Sequence, residues 1–192
     1  VADPTDFLLG KRLRCFAEKN KVTLTITETP MFVTPRDWAD EHFGARKKPF
    51  MAKFYEAQRK RMGILVDENG EPEGGQWSYD DENRKSMPKR GLDTPGELTA
   101  PRRQEVDEAR AYVEEHFADY PGRIESFAYA VTTKDARDWL EQFLSERFEQ
   151  FGPYEDALSE NERTLFHSLL TPALNIGLLT PQEVVDRALE FA

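Results

Sequence analysis

The sequence predicts a mainly helical protein in three parts: an α/β-like stretch over 1–65, a long irregular connection over 66–100 and an all-helical stretch over 101–192. Three observations carry this division. Apolar residues recur at helical spacing on both sides of the connection. One run, Val22-Thr23-Leu24-Thr25-Ile26-Thr27, instead alternates apolar and β-branched polar residues after a helical pattern, as in the tail of an α/β unit. Between Gly63 and Ala100 turn residues break the helical period: Asn69-Gly70 first, then Pro72, Gly74, Gly75, Pro88, Gly91, Pro95 and Gly96.

The first helix is predicted from Phe7, Leu8, Leu9, Leu13 and Phe16, with Asp3 or Thr5 as its cap and Cys15 on the apolar, core-facing side. The strand over 22–27 cannot satisfy its own backbone groups and calls for a sheet that the chain does not obviously supply. Thr34 at an N-cap and Pro35 at the first helical position open a second helix through Phe43. Lys48-Pro49 restarts a third, with Phe50, Met51, Phe54, Tyr55 and Met62 on one side. The long connection is either a linker or functional, and Trp77 and Tyr79 are expected to anchor it. Val106, Ala109, Val113 and Phe117 make the next stripe, ended near Tyr120-Pro121-Gly122. Thr132 or Thr133 caps a helix whose Ala136, Trp139, Leu140, Phe143, Leu144 and Phe148 face inward, broken by Phe151-Gly152-Pro153. Ser159 or Asn161 opens another through Leu170, and Thr180-Pro181 begins the last, through Val184, Val185, Ala188 and Leu189. No internal repeat is present.

Composition narrows the function classes. The 192 residues carry Lys+Arg 26 against Asp+Glu 36, a net charge of −10, with 39% hydrophobic and 32% charged residues. That is enough apolar material for a core, and no run approaches the roughly 20 apolar residues of a membrane span. A single cysteine, Cys15, cannot close an intrachain disulfide or by itself build a zinc or iron–sulfur site, so a reducing, cytoplasmic setting is expected. Neither a targeting segment nor an initiating methionine is present, and both ends read as cuts from a longer chain. Charge is uneven: residues 1–63 hold 13 basic and 8 acidic side chains, residues 64–122 hold 7 and 15, and residues 123–192 hold 6 and 13. The basic stretch Arg46, Lys47, Lys48, Lys53, Arg59, Lys60 and Arg61, opposed only by Glu56, is either a phosphate-facing patch or a solvated helix face.

No phosphate-loop, dinucleotide-fold, zinc-protease or nucleophile-elbow motif occurs. His42, His116 and His167 lie far apart, and Asp80-Asp81-Glu82 and Glu114-Glu115 read as solvated surface. Two segments stand out. One is Phe50-Met51-Ala52-Lys53-Phe54-Tyr55 through Ile64-Leu65, followed by Gly74-Gly75-Gln76-Trp77-Ser78-Tyr79-Asp80-Asp81-Glu82-Asn83-Arg84-Lys85. The other is Phe166-His167-Ser168-Leu169-Leu170-Thr171-Pro172-Ala173-Leu174-Asn175-Ile176-Gly177-Leu178-Leu179-Thr180-Pro181. The latter reads as a helix end, a Thr-Pro stop and a new Thr-Pro start. It is either an anion-binding notch of hydroxyls and free N–H groups or simply two capped helices in a bundle.

The second segment resembles the Thr-Ser-x-Leu-Ser-Pro…Gly-x-Leu-Ser-Pro stretch with which the photolyase/cryptochrome family holds the FAD phosphates. The first segment, together with Phe117-Ala118-Asp119-Tyr120-Pro121-Gly122, Phe127-Ala128-Tyr129-Ala130-Val131-Thr132 and Phe151-Gly152-Pro153-Tyr154-Glu155-Asp156-Ala157, is similar to the photolyase-related branch. That branch holds bacterial (6-4) photolyases and iron–sulfur cryptochromes. The resemblance implies the tail of an α/β antenna domain over 1–65, an interdomain linker over 66–100 and the start of a helical FAD-binding domain over 101–192. It also implies flavin-dependent, light-driven repair of damaged DNA by a protein that is monomeric when complete. Carried across residue by residue, Ser168 matches the family Ser, Leu170 its Leu, Thr171 replaces a Ser and His167 stands where Thr is usual. Tyr154 either packs beside the flavin phosphates or is a bundle tyrosine. Asn83, Arg84, Lys85, Lys89 and Arg90 either touch DNA phosphates or form an exposed loop. The family's iron–sulfur cysteines, its aromatic electron route and most of its antenna sheet have no counterpart here, so this stretch alone is expected to be inactive. A helical binding or scaffold module, and a blue-light photoreceptor without repair, are the competing readings.

Overall fold

Eight α-helices and no β-strand form among the described residues. This computed structural model describes residues 1, 3–4, 6–44, 48–88, 92–97, 99, 101–162 and 164–192. They fall into two units, Val1–Gly75 and Gln76–Ala192.

In the first unit, α1 (Phe7–Asn20) starts at Asp6, whose carboxylate accepts from the Leu9 N–H at 2.7 Å. Asp3, one of the two expected caps, does not serve. Asp3 is engaged by the Arg36 guanidinium at 2.9 and 2.7 Å, and Thr5 lies outside the described residues. The expected core face is open, with Phe7 79% and Phe16 63% exposed and Cys15 exposed as well. Only Gly10 and Ala17 of this helix are buried, because no layer of this unit covers its apolar side. The strand expected over 22–27 shrinks to one bridged residue, Thr27. The Val1 ammonium donates to the Thr25 carbonyl at 2.9 Å, the Thr27 N–H donates to Val1 at 2.9 Å, and the Asp3 N–H donates to Thr27 at 2.7 Å. This alternation is the parallel pattern, so the first residues of the chain partly meet the need for a pairing partner.

Helices α2 (Arg36–Gly44) and α3 (Met51–Met62) enclose an aromatic cluster. Trp38 stacks on His42 at 5.1 Å and Phe43 on Phe54 at 5.0 Å. In the described part of the basic stretch Lys48, Lys53 and Lys60 are exposed, the last two paired with Glu56, while the two arginines bind backbone carbonyls. Arg59 is buried and donates to the Ile64 carbonyl at 3.2 Å and also to the Leu65 carbonyl. Arg61 donates to Val33 at 2.6 Å and covers the Trp38 ring at 5.3 Å. Lys53 and Lys60 share Glu56 at 3.0 and 3.2 Å. The Asn69-Gly70 turn forms as its residues dictate, with Gly70 at φ 75° and the Asp67 carboxylate accepting from the N–H groups of Asn69 at 2.9 Å and Glu71 at 2.8 Å.

The second unit holds α4 (Gln104–Phe117), α5 (Thr133–Glu146), α6 (Phe148–Tyr154), α7 (Thr171–Asn175) and α8 (Pro181–Phe191). Thr132 caps α5 and Thr180 caps α8, each accepting a first-turn N–H at 3.2 Å. Ala136, Leu140, Phe143 and Leu144 of α5 pack against Leu170, Ala173 and Leu179. Outside this contact Arg187 of α8 grips Glu141 of α5 through two bonds of 2.8 and 2.7 Å. Residues 76–97 pack within the same unit. The Lys85 N–H donates to Pro153 at 3.1 Å, and Met87 and Leu92 lie on Ala157, Leu165 and Phe166.

Two boundaries differ from expectation, and one side chain explains both. Helix α5 ends at Arg147, while Gly152 and Pro153 sit inside α6. Arg147 lies on the inward stripe of α5, is 1% exposed, and donates to the Leu165 carbonyl at 2.9 Å and also to the Gly96 carbonyl. The helix expected to run to Leu170 does not form. The Leu165 carbonyl, which an intact helix would give to the Leu169 N–H, is taken by Arg147, and Leu169 sits at φ 55°. Thr171-Pro172 therefore opens a short helix instead of stopping a long one.

Asp135 is 3% exposed and accepts from Arg103 Nε at 2.8 Å and from a second Arg103 nitrogen. The Arg103 hydrogen bonds hold its pKa below the ordinary carboxylate value of 3.8, against desolvation.

Replacing Arg147 by Ala should lower the stability of the second unit by about 2–4 kcal/mol, through lost charge-assisted bonds and stranded carbonyls. Urea unfolding followed by Trp fluorescence checks this, and an unchanged midpoint refutes it. A depressed folded-state pKa gives stability that is complete above the unfolded value and lost as pH falls through the folded one. The stability gap between wild type and Asp135→Asn should accordingly narrow as pH drops below 3.8, measured by thermal melts across an acid series.

Candidate functional site

Buried Leu165, Phe166 and Leu170 pin the chain that leads into α7, and the residues between them turn outward by elimination. His167 and Ser168 are half-buried, and Thr171 is exposed at the first position of α7. Among the described residues neither the Ser168 nor the Thr171 hydroxyl has a hydrogen-bond partner. Leu170 differs from these two. Its side chain is in the core, and its carbonyl accepts the Leu174 N–H at 3.0 Å. Tyr154, at the end of α6, lies against Phe166 with ring centroids 5.8 Å apart and packs on the cluster of Ala157, Leu165 and Phe166. The segment thus presents two unengaged hydroxyls and a half-buried imidazole on either side of a buried leucine.

Such a row can donate to anionic oxygens, since each hydroxyl and a ring N–H is a donor. These residues do not enclose a flavin ring, because the cavity bounded by Tyr129, Trp139, Leu169, Leu170, Pro172 and Ala173 measures about 10 Å³, room for one water at most.

The expected DNA-facing residues lie elsewhere on the second unit. Arg84 is exposed between Asp80 at 3.9 Å and Asp156 at 3.5 Å, which offset its charge. Asn83 is half-buried. Its carbonyl accepts from the Asp156 N–H at 3.4 Å, its amide nitrogen donates to Asp80 at 3.4 Å, and its amide oxygen is buried without a partner. The Lys85 side chain is exposed and unengaged among the described residues. Lys89 and Arg90 lie outside the described residues. No group of His, Cys, Asp or Glu among the described residues is placed to hold a metal ion, and no described helix is long and apolar enough to cross a membrane.

Sequence reasoning missed Arg147, Arg103 and Arg110. The signal for Arg147 was available, since it extends the inward series of Ala136, Leu140 and Phe143. Arg103 and Arg110 carry no such signal, because their partners, Asp135 and the carbonyls of Glu125 and Phe127, come from distant chain segments.

Comparison with known proteins adds the following. The model of the family described as deoxyribodipyrimidine photo-lyase-related protein matches residues 1–129. A (6-4) photolyase of Agrobacterium fabrum is 32% identical over 199 residues, covering 98% of this chain and 37% of that protein. An uncharacterized protein of Acanthamoeba polyphaga mimivirus is 34% identical over 94 residues, 47% of each chain. A second from the same virus is 46% identical over 37 residues, 19% of this chain and 29% of that protein. The chain therefore spans less than half the length of each of these relatives.

Core and surface roles separate experimentally. Leu170→Ala should cost about 2–5 kcal/mol of stability as a buried truncation. Ser168→Ala and Thr171→Ala should each stay within about 0.5 kcal/mol, because no bond is lost. Chemical denaturation of the three variants checks this, and a large loss at either hydroxyl would show it to be structural.

Proposed function

Since the chain belongs to the deoxyribodipyrimidine photo-lyase-related protein family, we propose that it is part of a flavin-dependent, light-driven DNA repair protein of the (6-4) type. In this reading residues 1–65 are the tail of the antenna domain, residues 66–100 the interdomain linker and residues 101–192 the first part of the FAD-binding domain. The observation that carries it is the pair of unengaged hydroxyls, Ser168 and Thr171, held in place by buried Leu170 between them. They donate to the two phosphoryl groups of FAD, with His167 donating from its half-buried ring and Tyr154 packing beside them.

When bound, the flavin supplies the photochemical electron transfer, and the protein supplies grip and orientation. The chain's own contribution is to fix one edge of the diphosphate. Arg147 holds the Leu165 carbonyl, Leu170 fills the core, and the outward residues between them cannot turn in. In this reading the walls that enclose the flavin ring come from outside this chain, which covers 37% of the matched (6-4) photolyase. Lys85 and Asn83 contact the phosphates of damaged DNA, with Arg84 contributing less because two carboxylates flank it. The working protein is a cytoplasmic monomer.

The test uses the complete protein. The double variant Ser168→Ala/Thr171→Ala should retain about tenfold less flavin after gel filtration, judged by flavin absorbance per polypeptide, with an unchanged circular dichroism spectrum. Equal retention would remove the assignment. Flavin retained in the wild type without light-dependent restoration of a (6-4) lesion in duplex DNA would favour a photoreceptor over a repair enzyme.

A further inference from the structure

At the start of α4 lies an open cavity of about 290 Å³ whose lining includes Arg102, Arg103, Asp107, Arg110, Phe127 and Tyr129. Its charges are unequally satisfied. Arg102 Nε is 2.8 Å from Asp107, and Arg103 is bound to buried Asp135. Arg110 has no carboxylate within ion-pair distance among the described residues. It donates to the carbonyls of Phe127 at 2.7 Å and Glu125 at 3.3 Å, and its Nε is buried without an acceptor. Three guanidiniums meet two carboxylates, which leaves the positive charge of Arg110 without a counter-ion among the described residues, while its buried Nε is out of a ligand's reach. Helix α4 also begins here with no side-chain cap.

The walls add a second chemistry. Tyr129 stacks on Trp139 at 6.0 Å with an interplanar angle of 7°, and 47% of the tyrosine remains exposed. Phe127 meets Tyr129 edge-on at 5.7 Å and is itself 37% exposed. A monoanion with several acceptor oxygens satisfies Arg110, and a planar ring satisfies the exposed aromatics. An acidic side chain would use the first and leave the second bare.

We propose that this cavity binds a nucleotide, with its phosphate on Arg110 and its base on Phe127 and Tyr129. The same chemistry has two sources, a free mononucleotide or one residue of a single DNA strand. The site is separate from the Ser168 and Thr171 row and does not rest on the flavin reading. Because the chain carries a net charge of −10, long-range attraction of a strand is weak and binding rests on the local contact.

The experiment titrates the complete protein with thymidine 5′-monophosphate by calorimetry and with a fluorescein-labelled oligothymidylate by anisotropy. Binding should weaken about tenfold in Arg110→Gln and by about tenfold in Phe127→Ala, and should be unchanged in Lys19→Gln, which lies in the other unit. Arg110 also holds two carbonyls, so if its variant misfolds, the loss expected in Phe127→Ala decides the outcome. Saturation by the monophosphate supports a free nucleotide, and binding of the oligomer alone supports a strand. Failure of both probes to bind at millimolar concentration would overturn the proposal, as would unaltered affinity in the folded variants.

Discussion

A buried guanidinium with no carboxylate partner among the described residues organises the second unit. Arg147 is desolvated enough that its pKa is pulled down, yet it is held by two carbonyls from widely separated segments, Gly96 and Leu165. Bringing a charge into an apolar interior costs free energy, and here backbone dipoles offset it in place of a counter-ion. The exchange links three features. It ends α5 and begins α6, it ties residues 92–97 to the core, and it denies the chain before α7 the carbonyl that a helix would need. The outward display of Ser168 and Thr171 follows from that denial.

Arginines perform much of the structural work in both units. Arg59 and Arg61 close the chain around α3 in the first unit. Arg103, Arg147 and Arg187 do the same around α5 in the second. The planar fork donates to two acceptors at once, which suits chain segments that approach without regular secondary structure. With so many guanidiniums employed internally, clusters of basic residues in the sequence are poor guides to the surface. Arg110 resembles Arg147 in being held by backbone carbonyls with one nitrogen lacking an acceptor, but it lies at an open cavity instead of in the core.

The apolar side of α1 shows the opposite imbalance. Phe7, Leu8, Leu9 and Phe16 are patterned as a core face and lie exposed. An exposed apolar face of this kind marks a surface that another layer or partner could cover. The parallel pairing of Val1, Asp3 and Thr27 around α1 has the same character, a beginning of a sheet rather than a sheet.

What the residues alone determined is local. Helical periodicity located α1 to α5 and α8, Thr132 and Thr180 marked two helix starts, and Asn69-Gly70 marked its turn, because each depends on contacts within a few positions. The family likeness was also readable, as residue types in a fixed order. Tertiary structure alone decided that Arg36 takes Asp3, that Arg147 divides α5 from α6, that the described residues of 159–170 are not helical and that Arg110 has no counter-ion among the described residues. Each of these outcomes turns on which distant group reaches a donor or acceptor first. The competition is between a local bond and a long-range one of similar strength, and only the packed chain fixes the distances that settle it.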